Sequence, residues 1–374
     1  MDQRTRAYAA SGAIVVIFLC VQLGALALVG PFESAGYQPV EDPDNPVNSI
    51  VYVAAILVMT GVMLVIIKFG LEWILRALMV FAGAYISLFV LRVVVPPVVV
   101  LPVGGFGINL LAWLAGAAVG VGLWVYPEWY VVDIAGVLMG AAAAGLFGIS
   151  FGVLPALVLL VVLAVYDAIS VYGTEHMLTL ASGVMDLKVP IVLVVPLSLS
   201  YSYLDAELPD PVADDESGAV ETADEATEDA DASSTSGGEA AVNGGAADEV
   251  SGEDAAGETS EEGGSDGDSD LDREALFIGL GDAVIPTVLV ASAGFFAPQS
   301  VPAVDLLGFP VALPALTAMA GTMVGLVILL RMVLKGRAHA GLPLLNGGTI
   351  AGYLAGALAS GLSLVQALGL GPYV

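Results

Sequence analysis

The chain has 374 residues, 57% of them hydrophobic and only 13% charged, and carries a net charge of −28. Soluble globular domains devote about a quarter of their residues to charges, so an ordinary soluble enzyme is excluded. The negative balance also excludes nucleic acid as a partner, because phosphates carry the same sign.

Apolar stretches near 20 residues recur, long enough to cross a hydrocarbon core of about 30 Å. In chain order they predict nine spans, at 11–29, 50–69, 72–91, 108–126, 130–147, 153–171, 274–296, 311–334 and 347–368. The expected fold class is therefore all-α, a polytopic membrane helix bundle. The first run follows a basic "MDQRTR" and ends near "ALA", as a signal peptide would. It is longer than the usual apolar region of about 7–15 residues, which favours a span. The stretch "VVPPVVVLPVGGF" at 94–106 reads as an interfacial connection. The apolar segment 189–200 has 12 residues, too short to cross, and is expected at the interface or against the bundle.

From Asp205 to Asp270 there are 23 acidic residues and no Lys or Arg. Such a segment cannot bury enough apolar surface to fold, so it is expected to be disordered and to favour solubility in high salt. The chain thus divides into 1–202 with six spans, a hydrophilic loop at 203–272, and 273–374 with three spans. The basic residues orient it. With the N-terminus inside, Arg4, Arg6, Lys68, Arg76, Lys188, Arg273, Arg331, Lys335 and Arg337 are cytoplasmic, and only Arg92 lies outside. Nine spans then put the acidic loop inside and the C-terminus outside.

Cys20 is the single cysteine, which leaves no disulfide framework and no cysteine metal site. The two histidines, His176 and His339, have no metal-ligand spacing. Both are read as solvated or peripheral, and no cofactor is implied.

With the span ends set aside, three acids fall within predicted spans: Asp133, Asp167 and Asp282. An aspartate at the centre of a span costs about 2.5–3.5 kcal/mol on insertion scales, so each needs a reason. Asp133 sits one turn into its span and is expected to be hydrated. Asp167 lies near the cytoplasmic end of the sixth span. Asp282 is eight residues into the seventh, a rise of about 12 Å. Both should therefore lie at similar depth on consecutive spans. Two carboxyl groups held close cannot both ionise and share one proton. One can then take a proton from water while the other protonates a carbonyl oxygen, which is the chemistry of peptide hydrolysis without a covalent intermediate. Gly279 and Gly281 bare the backbone before Asp282 and allow a substrate chain to approach.

"VYDAISVYG" and the downstream "GLGDAVIP" resemble the paired Tyr-Asp and Gly-x-Gly-Asp signatures of the presenilin and signal-peptide-peptidase family, closest to its archaeal presenilin-like branch. The resemblance implies an intramembrane aspartyl protease with Asp167 and Asp282 as catalytic residues. Tyr166 then flanks the first acid, and Gly279, Leu280 and Gly281 shape the second. It also implies membrane-spanning substrates whose N-termini lie outside. The family's Pro-Ala-Leu motif is altered here. By position it matches Ala340, Gly341 and Leu342, followed by Pro343, with only the leucine retained. Literal "PAL" strings at 155–157 and 314–316 are expected too far from the acids to serve. Two other readings stay open on the residues alone: a proton- or ion-coupled transporter using intramembrane carboxylates, and a catalytically silent scaffold for membrane helices.

Overall fold

The computed structural model describes residues 3–38, 40, 42–103, 106–173, 192–197, 201–204, 275–306, 308–334 and 340–371. The acidic segment, both histidines, Lys188, Arg273, Lys335 and Arg337 lie outside them. A bilayer core offers no water to a peptide group, so an apolar chain crossing it must satisfy its backbone within each helix. Among the described residues six helices precede the acidic segment: α1 (Gln3–Ser34), α2 (Val47–Lys68), α3 (Glu72–Val94), α4 (Leu110–Val125), α5 (Trp129–Ser150) and α6 (Val153–Gly173). Four follow it: α7 (Leu280–Phe295), α8 (Leu313–Val333), α9 (Gly341–Ala359) and the short α10 (Leu364–Ala367). Seven of these are long and apolar enough to cross a membrane, and α4 and α7 are shorter apolar helices.

Helix α7 is the hub of the bundle and packs against α1, α5, α6, α8 and α9. Helices α8 and α9 form the most extensive pair, because glycines on both let their backbones touch. A Cβ on Gly321 would run into the Gly348 carbonyl, and one on Gly348 into the Gly321 carbonyl. The Thr322 and Thr349 hydroxyls meet across the same contact at 2.7 Å. Helix α2 is peripheral, attached where the Ser49 hydroxyl donates to the Pro155 carbonyl (2.6 Å) and Tyr52 packs on Phe147 and Phe151.

Among the described residues three antiparallel strand pairs interrupt the helices. The 94–106 connection becomes β1 (Val100–Val103), paired with β2 (Phe106–Asn109). The 189–200 segment contains β3 (Val192–Pro196), packed against the bundle with Leu193, Val194 and Val195 buried. β3 pairs with β4 (Ala275–Gly279), from Val192 opposite Gly279 to Pro196 opposite Ala275. The strands on either side of the acidic segment are thereby paired. β5 (Ala303–Leu306) and β6 (Phe309–Ala312) form the third pair.

Two predicted spans need correction. The seventh does not begin as a helix: residues 275–279 are β4, and α7 starts only at Leu280. Pairing with β3 satisfies the backbone of this stretch, so it need not coil. The ninth begins at Gly341, six residues earlier than expected, and ends at Ala359, after which a turn leads into α10. There Gly361 adopts a positive φ of 84°, which stops the helix where glycine makes the reversal inexpensive.

Candidate active site

Asp167 is carried near the C-terminal end of α6, and its side chain is 7% exposed. Asp282 lies in the first turn of α7, not two turns deep as an uninterrupted seventh span would place it. The strand β4 delivers the chain to this point, and Gly279 caps the helix with an extended backbone (φ −60°, ψ 132°). A carboxylate in the first turn also faces the positive end of the helix dipole. Non-helical backbone at membrane depth is tolerated only where it is buried in protein or lines a wet cavity, and β4 meets that condition beside an acid.

The N-terminus of α9 joins the two acids. The Leu342 backbone N–H donates to Asp167 Oδ2 at 3.1 Å. The neighbouring residue Gly341 faces the other carboxylate, where an added Cβ would sit 3.6 Å from Asp282 Oδ2. Gly279 flanks Asp282 from the strand side, also 3.6 Å from Oδ2 to an added Cβ. Asp282 lies within electrostatic reach of Asp167. Two adjacent residues at the start of α9 therefore face the two acids, Leu342 through a hydrogen bond and Gly341 through its bare Cα side. The Leu342 N–H is one of the four that a helix start leaves without an internal partner, so a carboxylate is its natural acceptor.

The remaining candidates fall around this pair. Leu280 packs its Cδ1 near Gly140 and Gly136 of α5, which leave room for it. Gly281 is the second residue of α7, not part of a helical turn preceding the acid, and only Ile285 comes within 4.0 Å of where its Cβ would be. Ala340, 5% exposed, caps α9, and Pro343 occupies its first turn, where the missing N–H costs nothing. Gly341 is thus helical and not part of an extended segment. Tyr166 is 42% exposed, whereas Asp167 beside it is buried. The "PAL" strings begin α6 and α8, and Pro155 stands 12 residues before Asp167, about 18 Å along the helix.

Asp133 departs from its expectation of hydration. It is 9% exposed, and its Oδ1 accepts the Val194 N–H at 2.8 Å, fixing β3 to α5. Glu128 does the same for the chain beyond β3, accepting from Ser202 Oγ (2.7 Å) and the Tyr203 N–H (3.1 Å). Sequence gave no signal for these links, which span 61 to 75 residues. Asp133, Glu128 and the α5 glycines support the strand pair that leads to Asp282. Among the described residues no group of three or more His, Cys, Asp or Glu side chains could hold a metal ion.

The polytopic helical bundle thus brings two carboxylates, Asp167 and Asp282, to the N-terminus of one helix. Residues 15–362 match the family described as signal-peptide peptidase, presenilin aspartyl protease, and the chain belongs to it. No curated protein sequence matches. Two solved structures of a presenilin family intramembrane aspartate protease, in the C222 and P2 space groups, are similar to it. The first has 28% identity and a TM-score of 0.55, covering 93% of this chain and 99% of the other. The second has 28% identity and a TM-score of 0.53, covering 93% and 97%. The protein is a multi-pass intramembrane aspartic endopeptidase acting on membrane-embedded substrates.

Proposed function

We propose that Asp167 and Asp282 are the catalytic pair of this protease. The observation that carries the assignment is that Leu342 donates its N–H to Asp167 while the residue before it, Gly341, faces Asp282. One carboxylate removes a proton from a water molecule held between the acids. The resulting hydroxide equivalent attacks the scissile carbonyl, whose oxygen receives a proton from the other carboxyl group. The diol then collapses, the C–N bond breaks, and the amine leaves with a proton from the pair. The Leu342 N–H holds Asp167 in position through these steps.

A helical substrate must be unwound before its carbonyls reach the acids. β4 ends three residues before Asp282, and among the described residues no strand pairs with its second edge. An extended substrate segment can add there by backbone hydrogen bonding, with Gly279 and Gly281 allowing close approach. Ala340 to Pro343 border the same space.

The preferred substrates are single-span proteins with their N-termini outside, consistent with an N-inside orientation set by the basic residues. The acidic segment then lies in the cytoplasm, and its composition suits a halophilic, archaeal source. The test is cleavage of a single-span reporter by purified protein in detergent and high salt, read by mass spectrometry. Wild type should cleave, and Asp167→Asn and Asp282→Asn should each fold but not cleave. Equal products from all three would defeat the assignment.

A further inference from the structure

Helix α9 reaches α6 at a second point. Asn346 is fully buried, and its Nδ2 donates to the Leu160 carbonyl of α6 at 2.9 Å. Its Oδ1 is buried and accepts nothing among the described residues. A core amide left half satisfied costs stability, and an apolar side chain of the same size would avoid that cost. Its retention calls for another reason.

Asn346 lies four residues after Leu342, hence one turn along the same face of α9. Hydrogen bonds thus run from α9 to α6 at two levels, Leu342 to Asp167 and Asn346 to Leu160. Beyond Asn346 the helix is intrinsically soft, since Gly347 and Gly348 follow it, so the Asn346 bond is what ties the first turn of α9 to α6. Towards α8 the Thr322–Thr349 hydroxyl pair and the glycine contact fix α9. Neither sets its height against α6, where Asp167 resides.

We propose that Asn346 is a positioning residue of the protease site, setting the height of α9 on α6 so that the Leu342 N–H meets Asp167. This rests on the assignment of Asp167 to the catalytic pair. Asn346 touches no reacting atom and acts only through the placement of Leu342.

The test is Asn346→Leu in the full chain, with three readings. Hydrogen exchange of the Leu342 amide should become faster. Cleavage of the single-span reporter should lose roughly tenfold or more in kcat with KM held, since misplacement by about 1 Å can cost 10²-fold. Affinity for a hydroxyl-bearing peptide mimic of the diol should fall in parallel, while the unfolding midpoint stays level or rises. A purely structural asparagine would leave exchange and kcat unchanged in a folded variant, and that result overturns the proposal. If the leucine variant does not fold, Asn346→Asp replaces it. Its activity relative to wild type should rise as pH falls, because only the protonated acid can donate to Leu160. A flat ratio overturns the proposal. If wild type itself fails to cleave, the protease assignment is at fault, and the exchange reading still decides whether Asn346 places Leu342.

Discussion

The Leu342 backbone N–H and the Asp167 carboxylate meet at 3.1 Å across 175 residues of sequence. A hydrogen bond to a charged group contributes about 1.5–3 kcal/mol. Leu342→Pro removes this one donor at a position whose N–H the helix does not use, and Pro343 already shows that the first turn accepts proline. Cleavage should fall about 10- to 100-fold with helicity intact by circular dichroism. Unchanged turnover would mean that the bond does not contribute to catalysis.

Asp133 supports β3 through a single acceptor oxygen. Asp133→Ala strands the fully buried Val194 N–H, which costs about 1–3 kcal/mol. Thermal unfolding in detergent should show the loss, and reporter cleavage should weaken with it because β4 loses its fixed partner. Asp133→Asn keeps an acceptor and should stay close to wild type in both measurements. If both variants behave alike, the carboxylate has a role other than holding the strand.

The α8–α9 contact is backbone on backbone, so no rotamer change can relieve an added side chain. Gly321→Leu should separate the helices, with a loss at or above the roughly 1–3 kcal/mol typical of overpacking, and should abolish cleavage by moving Leu342. Gly347, by contrast, has nothing within 4 Å of where a Cβ would be. Gly347→Ala should stabilise the helix by about 0.5–1 kcal/mol. Unfolding midpoints of the two variants, measured side by side, check the contrast.

Residues 206–270 can be replaced by a short flexible linker without moving the site. Pro196 and Ala275, which flank the segment in sequence, are cross-strand partners held by β3 and β4. The linker variant should keep wild-type kcat and lose solubility in high salt. A folded but inactive variant would show that the acidic segment takes part in catalysis or substrate capture.

Much of this was legible from residue order. Apolar length marks each span because a bilayer imposes one thickness on all of them. Asp167 and Asp282 stand out because a carboxylate is costly in hydrocarbon, and their flanking residues named the family. Residues 340–343 were singled out by their place before the last span, and the fold brings Gly341 and Leu342 beside the two acids. The β4 strand was not legible, because "ALFIG" reads equally as the start of an apolar helix. Only the partner strand, some 80 residues away, makes the extended form the stable one.

Composition and spacing determined a membrane bundle with two acids that need a partner. Which groups surround those acids was decided by tertiary packing. Glycine faces let α8 and α9 close together, Asn346 ties α9 to α6, and Asp133 ties β3 to α5. These contacts join residues far apart in the chain, and each depends on a distance or a direction that no local pattern encodes. Sequence fixes the cost of burying a carboxylate, and only the folded chain supplies the donor that offsets it.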